Sequence, residues 1–302
     1  MMKILCLGHA TYDVTLPLDE FPIENTKNRI QERIECGGGP ASTAAYLLGS
    51  WGADTTFAGI VGDDYYGHKI KEEFEKVNVN TKYLELRKGH ETTSSVVITN
   101  KSNGSRTTLA YKPDSIEMQP FDLDFQPDVI LIDGQEYQRS VEVLKKYPDA
   151  ITIIDAGRDR KEVIDLCKMV NWVVCSKDFA EKVTDLTVDY NNIVTIKDIY
   201  AKLKEMFKNE IVITLEDKGC FYDNQIISSI KLKTVDSTGA GDIFHGAFTY
   251  YLSRGYDIIN VLKLANYAGA ISVSRIGTRN SIPTKEEMEA VYNEFKWDSF
   301  YR

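Results

Sequence analysis

Short, continuous apolar runs separated by longer amphipathic stretches constrain this chain more than any other feature. Residues 129–132 read VILI and residues 151–154 read ITII. Runs of this kind suit strands covered on both faces, as in a parallel sheet, better than strands with one wet face. Residues 4–7, 56–60, 172–175, 211–215 and 220–222 repeat the pattern. Between them, apolar spacing predicts helices over 41–49, 66–77, 140–146, 177–183 and 199–207. The C-terminal third reads as helix over 242–253, 258–274 and 284–295. This βαβα order predicts a three-layer α/β/α fold with a mainly parallel central sheet, in one domain spanning residues 1–302.

Two stretches break the rhythm, at about 12–35 and 92–112. The second carries Asn103-Gly104 between β-type runs at 94–99 and 106–111 and reads as a hairpin. A small β-sheet outside the main layers is expected, either as a flap over a cleft or as a dimer edge.

Composition narrows the class. The net charge of −9 comes from 36 basic and 45 acidic side chains with no like-charge block, so nothing draws the chain to nucleic acid or anionic lipid. The five cysteines are odd in number and form no C-x-x-C pair, which fits a reducing compartment. The first eight residues hold only a four-residue apolar run, too short for a signal peptide, and no stretch approaches a membrane span. A cytoplasmic protein is expected.

The strongest chemical signal is Asp236-Ser237-Thr238-Gly239-Ala240-Gly241-Asp242, which opens directly into a helix. Small residues there let an anion approach the backbone, and the amides of Gly239, Ala240 and Gly241 would converge on it at a positive helix end. Asp242, beside that hole, is suited to take a proton from an attacking hydroxyl; the bland alternative is a helix cap. Rival phosphate motifs fail: G-x4-G-K-S/T is absent, and G-x-G-x-x-G lacks its third glycine because position 244 is Phe. A second glycine segment, Gly37-Gly38-Gly39-Pro40-Ala41-Ser42-Thr43-Ala44, also opens a helix, with Pro40 in its first turn. It serves a polar ligand or simply a tight strand-to-helix turn.

Together these segments resemble the paired signatures of the ribokinase-like, or PfkB, carbohydrate kinase family. DSTGAGDIFHGA fits the C-terminal signature throughout, and GGGPASTAA with Gly59, Gly62, Asp63, Asp64 and Gly67 resembles the N-terminal one. Gly8-x4-Asp13, Gly104-Ser105-Arg106-Thr107, Thr214-Leu215-x3-Gly219 and Arg275-Ile276-Gly277 extend the similarity along nearly the whole chain. The resemblance implies Asp242 as catalytic base and Gly239, Ala240 and Gly241 as anion hole. It implies Asp13, Gly37, Gly38 and Ser42 as substrate contacts, and Thr214, Gly219, Thr238 and Asn266 on the nucleotide side. It also implies ATP with Mg²⁺, in many members a K⁺-like ion, and a β-sheet lid that often forms a homodimer.

Three departures stand out. Ser42 fills a slot often held by Asn, Glu216 replaces a common glycine, and the frequent Asn-x-x-Glu element is missing at Ser176-Lys177-Asp178-Phe179. Asp178 or Glu181 is the expected substitute, and the metal ligands stay unassigned. His9, His68, His90 and His245 show no metal-ligand spacing. His245 either lines the cleft or packs. Lys27, Arg29, Arg106 and Lys112 fall in the lid and read first as surface charge. Arg158 and Arg160 follow the strand at 151–154, and Arg158 is taken as a substrate contact. No arginine is otherwise placed to meet an anionic substituent, so a neutral ketose such as fructose is preferred. A nucleoside kinase and a non-catalytic sugar sensor are the alternatives.

Overall fold

The computed structural model describes residues 1–298. Along the chain run β1 (Lys3–Leu7), β2 (Thr11–Leu18), β3 (Ile34–Gly38), α1 (Pro40–Ser50), β4 (Asp54–Gly62), α2 (Tyr65–Lys76), β5 (Asn80–Arg87), β6 (Ser94–Asn100) and β7 (Arg106–Tyr111). There follow β8 (Val129–Ile132), α3 (Tyr137–Lys146), β9 (Ile151–Ala156), α4 (Lys161–Cys167), β10 (Trp172–Ser176), α5 (Lys177–Thr184), α6 (Ile193–Phe207) and β11 (Glu210–Thr214). The chain closes with β12 (Cys220–Tyr222), β13 (Gln225–Ile227), α7 (Ala240–Ser253), α8 (Ile258–Ser272) and α9 (Lys285–Asp298).

The large sheet has the order β13-β12-β11-β10-β9-β8-β1-β4-β5. It is parallel from β5 to β11, and only the β11–β12 and β12–β13 pairings at one edge are antiparallel. Its strands are apolar throughout because both faces are covered. Ile4, Cys6, Val129 and Leu131 point into one core, with Leu47, Phe244 and Phe248. Leu5, Leu7, Ile130 and Ile132 point into the other, with Leu166, Phe179 and Leu203. The period-2 division holds within single four-residue runs.

Between β4 and β8, the two neighbours of β1, the winding direction changes. Such a switch point opens a crevice beyond the C-terminal strand ends, where ligands of open α/β sheets bind. Gly8, His9 and Asp133 stand at that place.

The second sheet, β3-β2-β6-β7, is built from the two expected insertions. β6 and β7 form the hairpin, with Gly104 at φ +71° in its turn. β2 runs parallel to β6, a pairing that sequence reading did not reach.

Both glycine-rich segments end as helix N-termini on the same side of the large sheet, with Gly39 capping α1 and Gly239 capping α7. α1 and α7 lie against each other because Gly246 has no side chain. A Cβ there would sit 3.1 Å from Ala44 Cα and 3.3 Å from Leu47 Cβ. Gly246→Val is therefore expected to cost about 1–3 kcal/mol by overpacking, read as a lowered urea midpoint. An unchanged midpoint would show that the two helices have room to part.

Candidate functional site

Four carboxylates from separate elements meet at the crevice. Asp13 belongs to β2, Asp133 follows β8, Asp155 is the last residue but one of β9, and Asp242 lies in the first turn of α7. Asp133 is buried at 6% exposure and accepts backbone N–H bonds from His9 (2.8 Å), Ala41 (3.2 Å) and Gln135 (3.0 Å). Burial nevertheless pushes it up to about 6, with those N–H bonds pulling the other way. Asp13 accepts from Ser95 Oγ at 2.5 Å and Thr278 Oγ1 at 3.4 Å, and burial raises it too.

Asp242 is held well above the ordinary carboxylate range. Desolvation is the main cause, followed by the negative charges of Asp155, Asp13 and Asp133, while Arg106 opposes them. A carboxylate in that state binds a proton readily, which is the property a general base needs. The first N–H groups of α7, those of Ala240, Gly241 and Asp242, have no carbonyl one turn back to bond to, so they are free to meet an anion. Of the glycines in the two motifs, Gly241 faces open space, with nothing within 4 Å of a notional Cβ. Gly239 adopts the left-handed φ of +75° that starts the helix.

The other glycines make room for the protein itself. A Cβ on Gly37 would lie 2.4 Å from Arg279 Cζ, and one on Gly38 2.0 Å from Asp13 Oδ2. Arg279 is buried, with Nη1 2.6 Å from Glu73 Oε2 and Nη2 2.6 Å from Ser42 Oγ, and stacks on Tyr46 and Phe74. Glu73 in turn accepts from Gly37 N at 2.9 Å. Ser42, expected against substrate, is thus turned into the core to take the Arg279 guanidinium. Sequence reading missed Arg279 and Glu73, which lie 206 residues apart and show no local signal.

On the nucleotide side, Thr214 Oγ1 donates to Cys175 O at 3.3 Å, and Thr238 donates N–H and Oγ1 to Asp236 Oδ1 at 2.9 and 2.6 Å. Asp236 Oδ2 also accepts from Gly277 N at 3.0 Å, which ties the loop before α7 to the turn after α8. Asn266 is drawn inside: its amide donates to Ile227 O at 2.8 Å, so it braces β13. Gly219, at φ +98°, leaves no space for a side chain against Ile227 O, and Glu216 takes a left-handed φ of +55° in the slot where the family often has glycine. Glu181, in α5, accepts from Val188 N at 2.7 Å in the loop that follows the helix, whereas Asp178 is exposed.

His245 packs. Its Nδ1 lies 2.6 Å from Gly241 O and 3.2 Å from Asp155 Oδ2, and its Nε2 lies 3.1 Å from Val174 O. Both ring nitrogens face oxygen acceptors, so the ring joins α7 to β9 and β10. From the small sheet, Arg106 bonds Ser237, and Ser237 Oγ donates to Gly104 O at 3.5 Å. The hairpin tip therefore touches the loop that precedes the anion hole. Arg158 is exposed and has no ion-pair partner among the described residues.

Residues 1–285 match the pfkB family carbohydrate kinase. The chain belongs to that family. Its class is that of ATP-dependent carbohydrate kinases. The kinase is 24% identical to a ribokinase of Staphylococcus aureus, with 96% of this chain and 99% of that one covered. It is 23% identical to the ketohexokinase of Mus musculus, with 86% and 92% covered. In fold it is similar to Arabidopsis thaliana ribokinase complexed with ribose and ATP, with a TM-score of 0.79 and 20% identity over 96% of this chain and 98% of that one.

The buried Arg279 pair underpins this side of the crevice. Arg279→Met is expected to destabilise the kinase by about 3 kcal/mol, because it strands Glu73 without its cation. Adding Glu73→Gln should recover part of that loss in urea denaturation, and equal stability of the two variants would contradict the pairing.

Proposed function

We propose that the kinase transfers the γ-phosphoryl group of ATP to a hydroxyl of a small sugar, with Asp242 as general base. The observation that carries this reading is the half-buried Asp242 carboxylate standing at the free N–H groups of α7, with its proton affinity raised by desolvation and then by three other carboxylates. A base with a raised proton affinity can take the hydroxyl proton as the oxygen attacks. The amides of Ala240 and Gly241, with the Gly239 turn, hold the transferring phosphoryl group where its charge spreads. Arg106, reaching Ser237 from the lid, adds positive charge above the same place. Asp13, with Ser95 and Thr278 on its oxygens, is the first candidate to orient the sugar.

Magnesium would accompany the nucleotide. Among the described residues no group of three or more His, Cys, Asp or Glu side chains is arranged to hold a metal. The ion would therefore be carried mainly by phosphate oxygens, as is common for Mg²⁺. A K⁺-like ion near the loop before α7 belongs to the same proposal, and replacing potassium by sodium in the assay tests it.

Similarity to a ketohexokinase supports starting with ketohexoses, and similarity to ribokinases supports including pentoses. A homodimer through the lid is supported by β7, exposed along all six residues, with Leu109 at 60% and Tyr111 at 54% exposure. Unpaired edge strands of this kind invite pairing with a second copy. A cytoplasmic location is supported by the five cysteines, all buried and free.

ADP release from Mg·ATP, measured against ketoses, aldoses and nucleosides, decides the acceptor. Asp242→Asn is expected to lower the sugar-dependent rate by at least about a hundredfold. Preference for a nucleoside would favour that alternative, and sugar binding with no turnover would favour a sensor.

The pH profile gives a second check. Asp242 works deprotonated, so kcat/KM should fall as pH drops through its raised pKa, placing the acid limb above the usual aspartate range. Asp155→Asn removes a negative neighbour and should move that limb to lower pH. A limb that stays in place would mean that another group sets it.

A further inference from the structure

Phosphoryl transfer leaves unused a group of basic side chains at the acceptor end of the crevice. Arg158 and Arg160 lie in the loop that leaves the C-terminal end of β9. Arg160 Nη2 reaches Gly134 O at 3.4 Å, and Gly134 follows Asp133, whose carboxylate holds His9 N–H at 2.8 Å. Lys112 comes from the lid, as the first residue past β7. Its position follows from register: Tyr111 faces Ser94, and Ser94 faces Tyr12. Lys112 thus leaves the lid level with Thr11 and Thr93, where Tyr12 N–H and Thr11 Oγ1 both donate to Thr93 O at 3.0 Å. That is two residues from His9, so three separate segments meet around one half-buried imidazole.

The charges confirm the convergence. Burial, followed by Lys112, Arg158 and Arg160, pushes His9 down to about 4. Lys112 is itself lowered, first by burial and then by the two arginines. The charge of Lys112 is thus disfavoured by the two arginines it faces, and an oxyanion between them would relieve that repulsion. The protein does not supply it: among the described residues none of the three has a carboxylate within 4 Å, and Asp159, which lies between the arginines in sequence, turns to Lys182 at 3.7 Å.

We propose that Lys112, Arg158 and Arg160 form a subsite for an oxyanion carried by the sugar, such as a carboxylate, sulfonate or phosphate, away from the hydroxyl that is phosphorylated. Guanidinium forks match the planar or tetrahedral oxygens of such groups, and Lys112 adds a mobile charge from the lid. The neutral ketose favoured on sequence grounds then gives way to an anionic sugar. Binding it draws Lys112 toward the arginines of the large domain and closes the lid over the acceptor.

This inference rests on the proposed kinase reaction, and the test separates the two. ADP release is measured for neutral sugars and for congeners of the same carbon skeleton bearing a terminal carboxylate, sulfonate or phosphate. The charged congener is expected to give the higher kcat/KM. In Arg158→Gln, Arg160→Gln and Lys112→Gln, the charged-to-neutral ratio should fall roughly 10- to 100-fold each, mainly through KM for the sugar. Equal use of neutral and charged sugars, or an unchanged ratio in all three variants, overturns the subsite. A rise in KM for ATP with the ratio unaffected assigns the cluster to the nucleotide and overturns it as well. Should no sugar release ADP, the kinase reading fails on its own. Calorimetric titration of the charged congeners into wild type and the triple variant then decides the subsite: binding lost in the variant supports it, and equal or absent binding in both overturns it.

Discussion

The architecture of the crevice depends on one buried carboxylate, Asp133. It accepts N–H bonds from the end of the β1 strand region, from the first turn of α1 and from its own following loop. These three segments form the switch point, and among the described residues no other side chain is seen to bind all of them. The geometry also explains Gly8: a Cβ there would lie 2.2 Å from Asp133 Oδ1, so any larger residue would displace the carboxylate. With Asp133 in place, α1 starts beside β1, and the Gly246 contact with Ala44 then sets where α7 begins. The free N-terminus of α7 is thus located by packing that starts one strand away from it.

The same carboxylate has an electrostatic consequence. Asp133, Asp13 and Asp155 each bring negative charge toward Asp242, and the protein offsets them unequally. Asp155 has His245 beside it, and Asp133 has three backbone donors. Asp13 has the hydroxyls of Ser95, Thr278 and Thr11 and the influence of Arg279. The cation that acts on Asp242 directly is Arg106, and it arrives on the lid. The proton affinity of Asp242 is therefore tied to lid position: with Arg106 withdrawn, the carboxylate favours its proton more strongly.

Much of this was legible in the sequence, for identifiable reasons. Strands such as 129–132 announce themselves because burial on both faces removes polar alternation, and the glycine-rich helix starts stand out because few other residues permit their backbone. β5 escaped notice because it lies at the sheet edge, where Thr81, Lys82, Glu85 and Arg87 interrupt the apolar run. α4 was too short to show a period. The side-chain network was the least legible part. Ser42 and Asn266 stand out in the sequence as ligand contacts, and nothing local announces the bonds they make to Arg279 and the β13 backbone. Their partners lie 237 and 39 residues away, at distances no local pattern encodes.

The glycines make the same point from the opposite direction. A run such as Gly37-Gly38-Gly39 invites the interpretation that a ligand fills the space left by missing side chains. Here Arg279 fills it at Gly37 and Asp13 at Gly38, while Gly241 alone of the motif glycines opens on empty space. A glycine motif therefore marks where two things must approach closely, and only the fold shows whether the second is a ligand or the protein's own side chain. In this kinase one motif serves mainly to seat a buried guanidinium and a carboxylate, and the other keeps a helix end clear. The N-terminal glycines thus make room for the protein's own side chains, whereas Gly241 leaves the start of α7 open, although both motifs carry the same residue type.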